Sequence, residues 1–425
     1  MTHVVVVGAG FAGYHAARRL RRHPDIDVTV LNPTDYFLYL PLLPEVAGGL
    51  LDPRRVAVSI PATLPGVDLR LGSATRIDLQ RKHVDYRDAE GASGQLPYDV
   101  VLLTTGSTTK LLPIPGVTDH AHGFRSIAEA LYLRDHVIAQ VELAASTTSP
   151  AERDARLTFV VVGAGYTGTE VTAQGVRLTD VLLADRPSLR GHRARWILVD
   201  TADRVLPGLD ARLARTTAQV LGDLRVEILT GTSVAEATSD GVRLSNGTSV
   251  STRTLVWSVG VRPDDLGASL DLPTDRGRLI VDEHLAVPGQ PGFWACGDVA
   301  AAPDLTRPGR RTAMTAQHAQ RQGVRAAANI AASLGHGRVR PYRHRDLGFI
   351  VDLGGRDAAA NPLGVALSGL PAKTVARGYH LYSLPGNRAR TAVEWATQAV
   401  LGRSAVGIGL VKAADVPLTS AQPDS

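Results

Sequence analysis

Two stretches of the chain repeat one pattern of apolar and polar positions. Val4–Val7 is an unbroken run of β-branched residues with no alternation, as in a strand buried on both faces of a sheet. It runs into Gly8-Ala9-Gly10-Phe11-Ala12-Gly13. A helical stretch, AGYHAARRLRRH, closes at Pro24, and a second apolar run covers Asp27–Leu31. The pattern predicts a parallel strand–helix–strand unit. It recurs with Thr158–Val162 as the strand, Gly163-Ala164-Gly165-Tyr166-Thr167-Gly168 as the turn and Trp196–Val199 as the second strand, residues 175–194 lengthening the crossover. Near the end, residues 387–401 place Ala389, Ala392, Val393, Ala396 and Val400 on one face of an amphipathic helix.

Each turn has the glycine spacing of a dinucleotide site. Gly8 and Gly163 permit the tight turn, Gly10 and Gly165 let the backbone approach a diphosphate, and Gly13 and Gly168 let the helix pack close to its strand. The free N–H groups and dipole of the helix start, at Phe11-Ala12 and Tyr166-Thr167, favour the anion. Asn32 ends the second strand of the first unit, where an acid usually binds a ribose hydroxyl; an amide can still form that bond, without charge. Asp200 fills the position in the second unit and favours a free 2′-hydroxyl, hence NADH over NADPH, although Arg204 stands near.

Composition narrows the chemistry. A chain of 425 residues with 44% hydrophobic content accommodates two or three domains with large cores. Its one cysteine, Cys296, excludes a disulfide framework, a thiol redox pair and a cysteine-built metal site, and suits a reducing, intracellular setting. The histidines lack metal-binding spacing, so no metal is expected. Nothing before Val4 reads as a signal peptide, and no apolar run reaches the ~18–20 residues of a spanning helix. The net charge is +5, and residues 370–412 alone carry it: Lys373, Arg377, Arg388, Arg390, Arg403 and Lys412 against Glu394. Such a segment predicts attraction to an anionic membrane surface, with Tyr379, Tyr382 and Trp395 at headgroup level.

Other stretches resemble known flavoproteins with two dinucleotide domains. FWACGD (293–298) is similar to their late FAD motif, in which the Asp binds the ribityl chain; this implicates Gly297 and Asp298. LLTTGS (102–107), with Thr105 and Gly106, resembles the strand leading out of the FAD domain, and TLVWSVGVRP (254–263), with Gly260, the strand returning to it. The resemblance implies an α/β fold with two Rossmann-like domains and a C-terminal α+β region bearing the amphipathic helix. The FAD domain would comprise 1–115 and 265–345, the NADH domain 116–264, and the C-terminal membrane-associating region 346–425.

Three stretches resemble one family among these, the type II NADH:quinone oxidoreductases. YFLYLPLLPEVAGG (36–49) is similar to its flavin-side segment, with Pro41, Leu42 and Leu43 near the isoalloxazine. Glu170 follows the second turn where the family carries a carboxylate near the quinone. TAQHAQRQG (315–323) resembles its quinone motif through Ala316, Gln317 and Ala319; Arg321 stands at the motif's second glutamine, between Gln320 and Gln322. Glu170, Gln317 and Gln320 are thus catalytic candidates, and Ala316 and Gln317 join the cofactor-side set. The resemblance implies hydride transfer from NADH to FAD, then two electrons to menaquinone or ubiquinone without proton pumping. It also implies a peripheral protein on the cytoplasmic face of the cell membrane, open to homodimer formation and independent of nucleic acid. A soluble FAD-dependent NAD(P)H reductase or oxidase acting on another small acceptor, and a NADH-binding signalling flavoprotein, remain open.

Overall fold

The computed structural model describes residues 1–344, 347–403 and 405–418. The expected boundary between 345 and 346 and the last seven residues lie outside the described residues. The first apolar run becomes the strand Thr2–Val7, third in the order of a seven-stranded sheet. Its neighbours are Ile26–Asn32 on one side and Val100–Leu103 on the other, both parallel, with Val6 aligned to Val30 and Leu102. Phe293–Ala295, from the FWACGD stretch, adds beyond Val100–Leu103. Asp68–Asp78 extends the other edge in parallel and then pairs antiparallel with His83–Asp88. Val4, Val5 and Val6 are inaccessible to solvent, which explains why this strand shows no alternation.

The second run, Thr158–Val162, is the central strand of a separate five-stranded sheet. It lies between Arg195–Val199 and Thr254–Trp257, in parallel with both. The chain passes between the sheets through a two-stranded antiparallel ribbon, Ser107–Thr109 against Val261–Pro263.

Two helices cover the first sheet's central crossing. Phe11–Leu20 packs on Ala316–Ser333 so closely that a Cβ at Gly323 would lie 2.1 Å from the Ala12 carbonyl oxygen. At the C-terminal end, Ile350–Asp352, Ala358–Ala360 and Leu367–Ser368 form a small antiparallel sheet under the helix Gly369–Ser383, followed by Arg388–Leu401.

The helix Arg388–Leu401 lies on the body by its polar side. Thr391 is buried, and Glu394 accepts from the Asp52 N–H at 2.6 Å and from Arg55 Nε at 2.6 Å. The apolar stripe faces outward, with Val393 66% and Val400 82% exposed. Trp395 was expected at headgroup level; it points inward and donates Nε1–H to Glu45. Tyr379 lines an internal cavity, while Tyr382 is exposed.

The expected basic surface over 370–412 is corrected in the same way. Lys373 is buried against Asp352, Arg377 pairs with Glu45, and Arg403 donates to the Gly48 carbonyl and Gln174 Oε1. Arg388 donates to the carbonyls of Tyr382 and Leu384. The segment is basic because it docks on an acidic and carbonyl-rich part of the same molecule. Among the described residues, no helix is long and apolar enough to cross a membrane.

Candidate active site at the meeting of three cavities

The two glycine turns are built alike at the atomic level. Gly8 and Gly163 have φ of +95° and +103°, in the region that favours glycine. A Cβ at Gly13 would lie 1.8 Å from the Gly8 carbonyl oxygen, and one at Gly168 would lie 1.9 Å from that of Gly163. Gly10 and Gly165 have no atom within 4 Å of a built Cβ. That open space is what a diphosphate approaching the helix start requires.

The residues closing each unit are matched too. Asn32 Oδ1 accepts from the Ala9 N–H at 2.8 Å, and Asp200 Oδ2 accepts from the Ala164 N–H at 2.5 Å. Each side chain therefore holds its own turn. Asn32 Nδ2 also donates to the Thr34 carbonyl, and Asp200 Oδ1 accepts from the Ala202 N–H. Both still line their cavities. Arg204 aims at the carbonyls of Pro207 and Leu209.

A cavity of about 510 Å³ lies over the first turn. Gly8, Gly10, Phe11, Ala12 and Asn32 form one end, and Thr105, Gly106, Gly297, Asp298 and Ala316 the rest of the predicted wall. Asp298 accepts from Ser107 Oγ at 2.8 Å; burial raises its carboxyl above the ordinary range against the lowering by that bond and by Arg278 and Arg125. The open turn at Gly10 and the acid Asp298 in the same cavity fit FAD.

A second cavity, about 550 Å³, lies over the other turn and contains Gly163, Gly165, Tyr166, Thr167, Asp200 and Gly260. It fits a nicotinamide dinucleotide on the same grounds. Gly13 and Gly168 line neither dinucleotide cavity and act through packing.

The third cavity, about 560 Å³, is largely apolar. Pro41, Leu43, Phe349 and Ile350 form its walls, and Leu363 stands at its rim, 68% exposed. Tyr166, Glu170, Ala316 and Gln317 reach it from the predicted set, and Gln317 Nε2 donates to the Gly348 carbonyl at 2.8 Å. Gln320 is a correction: it lines none of the three cavities, because it falls on another face of the helix Ala316–Ser333. Gln322 is buried; it accepts from the Gly297 N–H and donates to Thr312, steadying the Gly297-Asp298 corner.

Phe124, Thr167 and Met314 line all three cavities, so the spaces meet there. Phe124 and Met314 carried no sequence signal. Neither did Arg125, which lines both dinucleotide cavities and donates to the Ser107 carbonyl at 2.6 Å. Sequence could have found only the capping box that follows it, Ser126 with Glu129.

Behind the apolar cavity lies a buried charged cluster. Lys373 Nζ bonds both Asp352 oxygens, at 2.5 and 2.7 Å, and the Asp352 N–H donates to Glu170 Oε1 at 2.8 Å. One turn along the same helix, Arg377 pairs with Glu45 at 2.9 Å and lies 3.7 Å over the Trp395 ring. Burial raises the Glu170 carboxyl well above the ordinary range, with the charges of Asp352 and Glu45 adding to it against the Asp352 N–H and Lys373. His380, on the cavity wall, is pulled down to about 4 by burial and is neutral at pH 7. Cys296 is buried and its thiol is pushed up by desolvation, so it is inert.

Residues 2–323 match the family model described as pyridine nucleotide-disulphide oxidoreductase. The type II NADH:quinone oxidoreductase Ndh of Mycobacterium tuberculosis is 32% identical over 410 residues, covering 92% of this chain and 87% of that protein. The demethylphylloquinone reductase NdbB of Synechocystis is 28% identical, covering 90% and 92%. The solved structure of NDH2 from Plasmodium falciparum in complex with NADH superposes with a TM-score of 0.88 over 95% of this chain and 99% of that one, at 18% identity, and supports the fold. The matched turns, the three meeting cavities and these relatives lead to one statement: the chain belongs to the pyridine nucleotide-disulphide oxidoreductases and, within them, to the type II NADH:quinone oxidoreductases.

Proposed function

We propose that the protein transfers a hydride equivalent from NADH, through FAD, to a membrane quinone. The observation that carries this is the single junction at Phe124, Thr167 and Met314, where two dinucleotide cavities and one apolar cavity meet. FAD, when bound over the first turn, supplies the two-electron chemistry that no side chain here can perform. The FAD domain comprises 1–115 and 265–345, and the NADH domain 116–264.

The protein's own part is binding, orientation and one proton. The turn at Gly163–Gly168 seats NADH; Asp200 favours it over NADPH because a 2′-phosphate would meet a carboxylate, while Arg204 Nη2 is turned to the carbonyls of Pro207 and Leu209. Pro41, Leu43, Phe349 and Ile350 exclude water from the quinone's cavity, and Gln317 orients a quinone oxygen. Reduction of a quinone to hydroquinone takes two electrons and two protons. The hydride equivalent carries both electrons and one proton, and Glu170 supplies the other, then reloads from solvent.

The outward stripe of Val393, Ala396 and Val400 and the exposed rim residue Leu363 offer apolar surface to solvent. This supports peripheral attachment to a membrane, at the cytoplasmic face where NADH is available, with menaquinone or ubiquinone entering from the bilayer. Anaerobic reduction of the bound flavin by NADH, followed by mixing with soluble menaquinone and ubiquinone analogues or with oxygen alone, tests the reading. Rapid reoxidation by a quinone and slow reoxidation by oxygen are expected. Equal rates would favour an oxidase, and no reoxidation by quinone a signalling flavoprotein.

A further inference from the structure

Three carboxylates stand together behind the apolar cavity, and they are not equivalent. Asp352 has Lys373, whose ammonium bonds both of its oxygens. Glu45, 2% exposed, receives Arg377 Nη1 and Trp395 Nε1, both on Oε2, at 2.9 and 2.7 Å. Burial raises the Glu45 carboxyl above the ordinary range and Asp352 adds to it, while Arg377, Lys373 and the Trp395 N–H oppose the rise; a guanidinium and an indole donating to one oxygen favour the anion. Among the described residues, no Lys, Arg or His nitrogen lies within 4.0 Å of the Glu170 carboxylate; its protein partner is the Asp352 N–H.

The surroundings of Glu170 are settled from each side. The helix Leu43–Ala47 brings Glu45, the strand Ile350–Asp352 brings Asp352, and the helix Gly369–Ser383 brings Lys373, Arg377 and neutral His380. Arg403, from beyond the last helix, directs its guanidinium to Gly48 and Gln174. Lys373 gives two of its three N–H donors to Asp352, and a charge on Glu170 is opposed by Asp352 and Glu45 together.

We propose that Glu45 is a positioning residue for the quinone half-reaction: its charge, fixed by Arg377 and Trp395, keeps the proton on Glu170 until a quinone takes it. This rests on the reading of Glu170 as the proton donor. Donation breaks the Glu170 O–H bond and forms the hydroquinone O–H, while the hydride equivalent from NADH brings the electron pair and the other proton. The carboxylate left behind is repelled by the charges of Asp352 and Glu45, which drives its reprotonation from solvent. The second link runs outward: Trp395 sits on the helix whose apolar side is exposed, so the anchor of Glu45 depends on the seating of that helix.

The test is the pH dependence of flavin reoxidation by a soluble quinone in FAD-loaded wild type, Glu45→Gln, Glu45→Asp, Trp395→Phe and Glu170→Gln, with FAD content and melting temperature confirming the fold. Wild type should slow as pH rises through a step well above the ordinary carboxylate range, and Glu170→Gln should remove the step. Removing one like charge from a buried neighbour is worth on the order of one pH unit. Glu45→Gln should therefore move the step about one unit lower, Glu45→Asp should leave it near the wild-type position, and Trp395→Phe should move it the same way by less. An infrared band of a protonated carboxyl, absent from Glu170→Gln, should titrate with the step. A flat profile for Glu170→Gln beside an unmoved step in both Glu45→Gln and Trp395→Phe overturns this inference alone. A step that survives in Glu170→Gln overturns the donor reading and this inference with it.

Discussion

A side chain at Gly10 would meet no protein atom within 4 Å, whereas one at Gly13 would collide with the Gly8 carbonyl. Two glycines of one motif thus make different demands, the first for the ligand and the second for the fold. Gly10→Val should therefore yield a folded protein that fails to hold FAD, read as a colourless preparation with an intact far-ultraviolet spectrum. Glu170 makes a prediction of another kind. Its carboxyl holds its proton in the folded state well above the ordinary value of 4.5. Between those two values the folded state binds more protons than the unfolded chain, so stability falls as pH rises from about 4.5. Glu170→Gln removes this loss. The variant should melt at the wild-type temperature near pH 4.5 and above it at pH 8; equal melting at both would mean that the carboxyl is not held protonated. The glycines were legible because their spacing is local, and Glu170 through the family resemblance of the stretch that follows them. Phe124, Met314 and Arg125 were not, because only the folded chain brings them to one junction.

At the scale of elements, the βαβ units could be read from an apolar run, a glycine turn and a second apolar run, since buried parallel strands leave an uninterrupted hydrophobic signal. The last helix was read by period alone, and period cannot say which face meets the body. Here the alanine and valine stripe is outside, and Glu394 latches the helix through Arg55 Nε and the Asp52 N–H. Charge-assisted bonds of this kind are worth ~1.5–3 kcal/mol each when the buried partner is left unsatisfied. Glu394→Ala should thus loosen the helix and expose it to limited proteolysis. Val393→Asp, on a side chain 66% exposed, should change stability by no more than about 0.5 kcal/mol. The reverse ranking in thermal melts would show that the valine face, not the glutamate face, is packed.

At the scale of the whole molecule, net charge and the proposed membrane attachment have separate origins. The chain is +5, and its C-terminal segment holds that excess, yet Lys373 and Arg377 meet carboxylates, while Arg388 and Arg403 meet carbonyls or an amide. Arg390 and Lys412 are left exposed and pair with no carboxylate among the described residues, too few for firm electrostatic attachment when each basic residue near an anionic surface contributes only ~1 kcal/mol. The outward apolar residues are more numerous: Val393, Val400, Leu401, Val406, Ile408 and Leu410 all stand free of the body. Apolar insertion is not screened by salt, whereas exposed charges are screened over ~8–10 Å at ordinary ionic strength. Binding to vesicles should therefore persist as salt is raised and should be only modestly weaker on neutral than on anionic lipid. The pair Val393→Asp and Val400→Asp should release the protein at every salt concentration and slow turnover with long-tailed quinones, while short soluble quinones are still reduced because the cavities lie in the body. Co-sedimentation at low and high salt decides the matter: release of the unaltered protein by salt alone would return the attachment to charge and leave the outward stripe without a lipid partner.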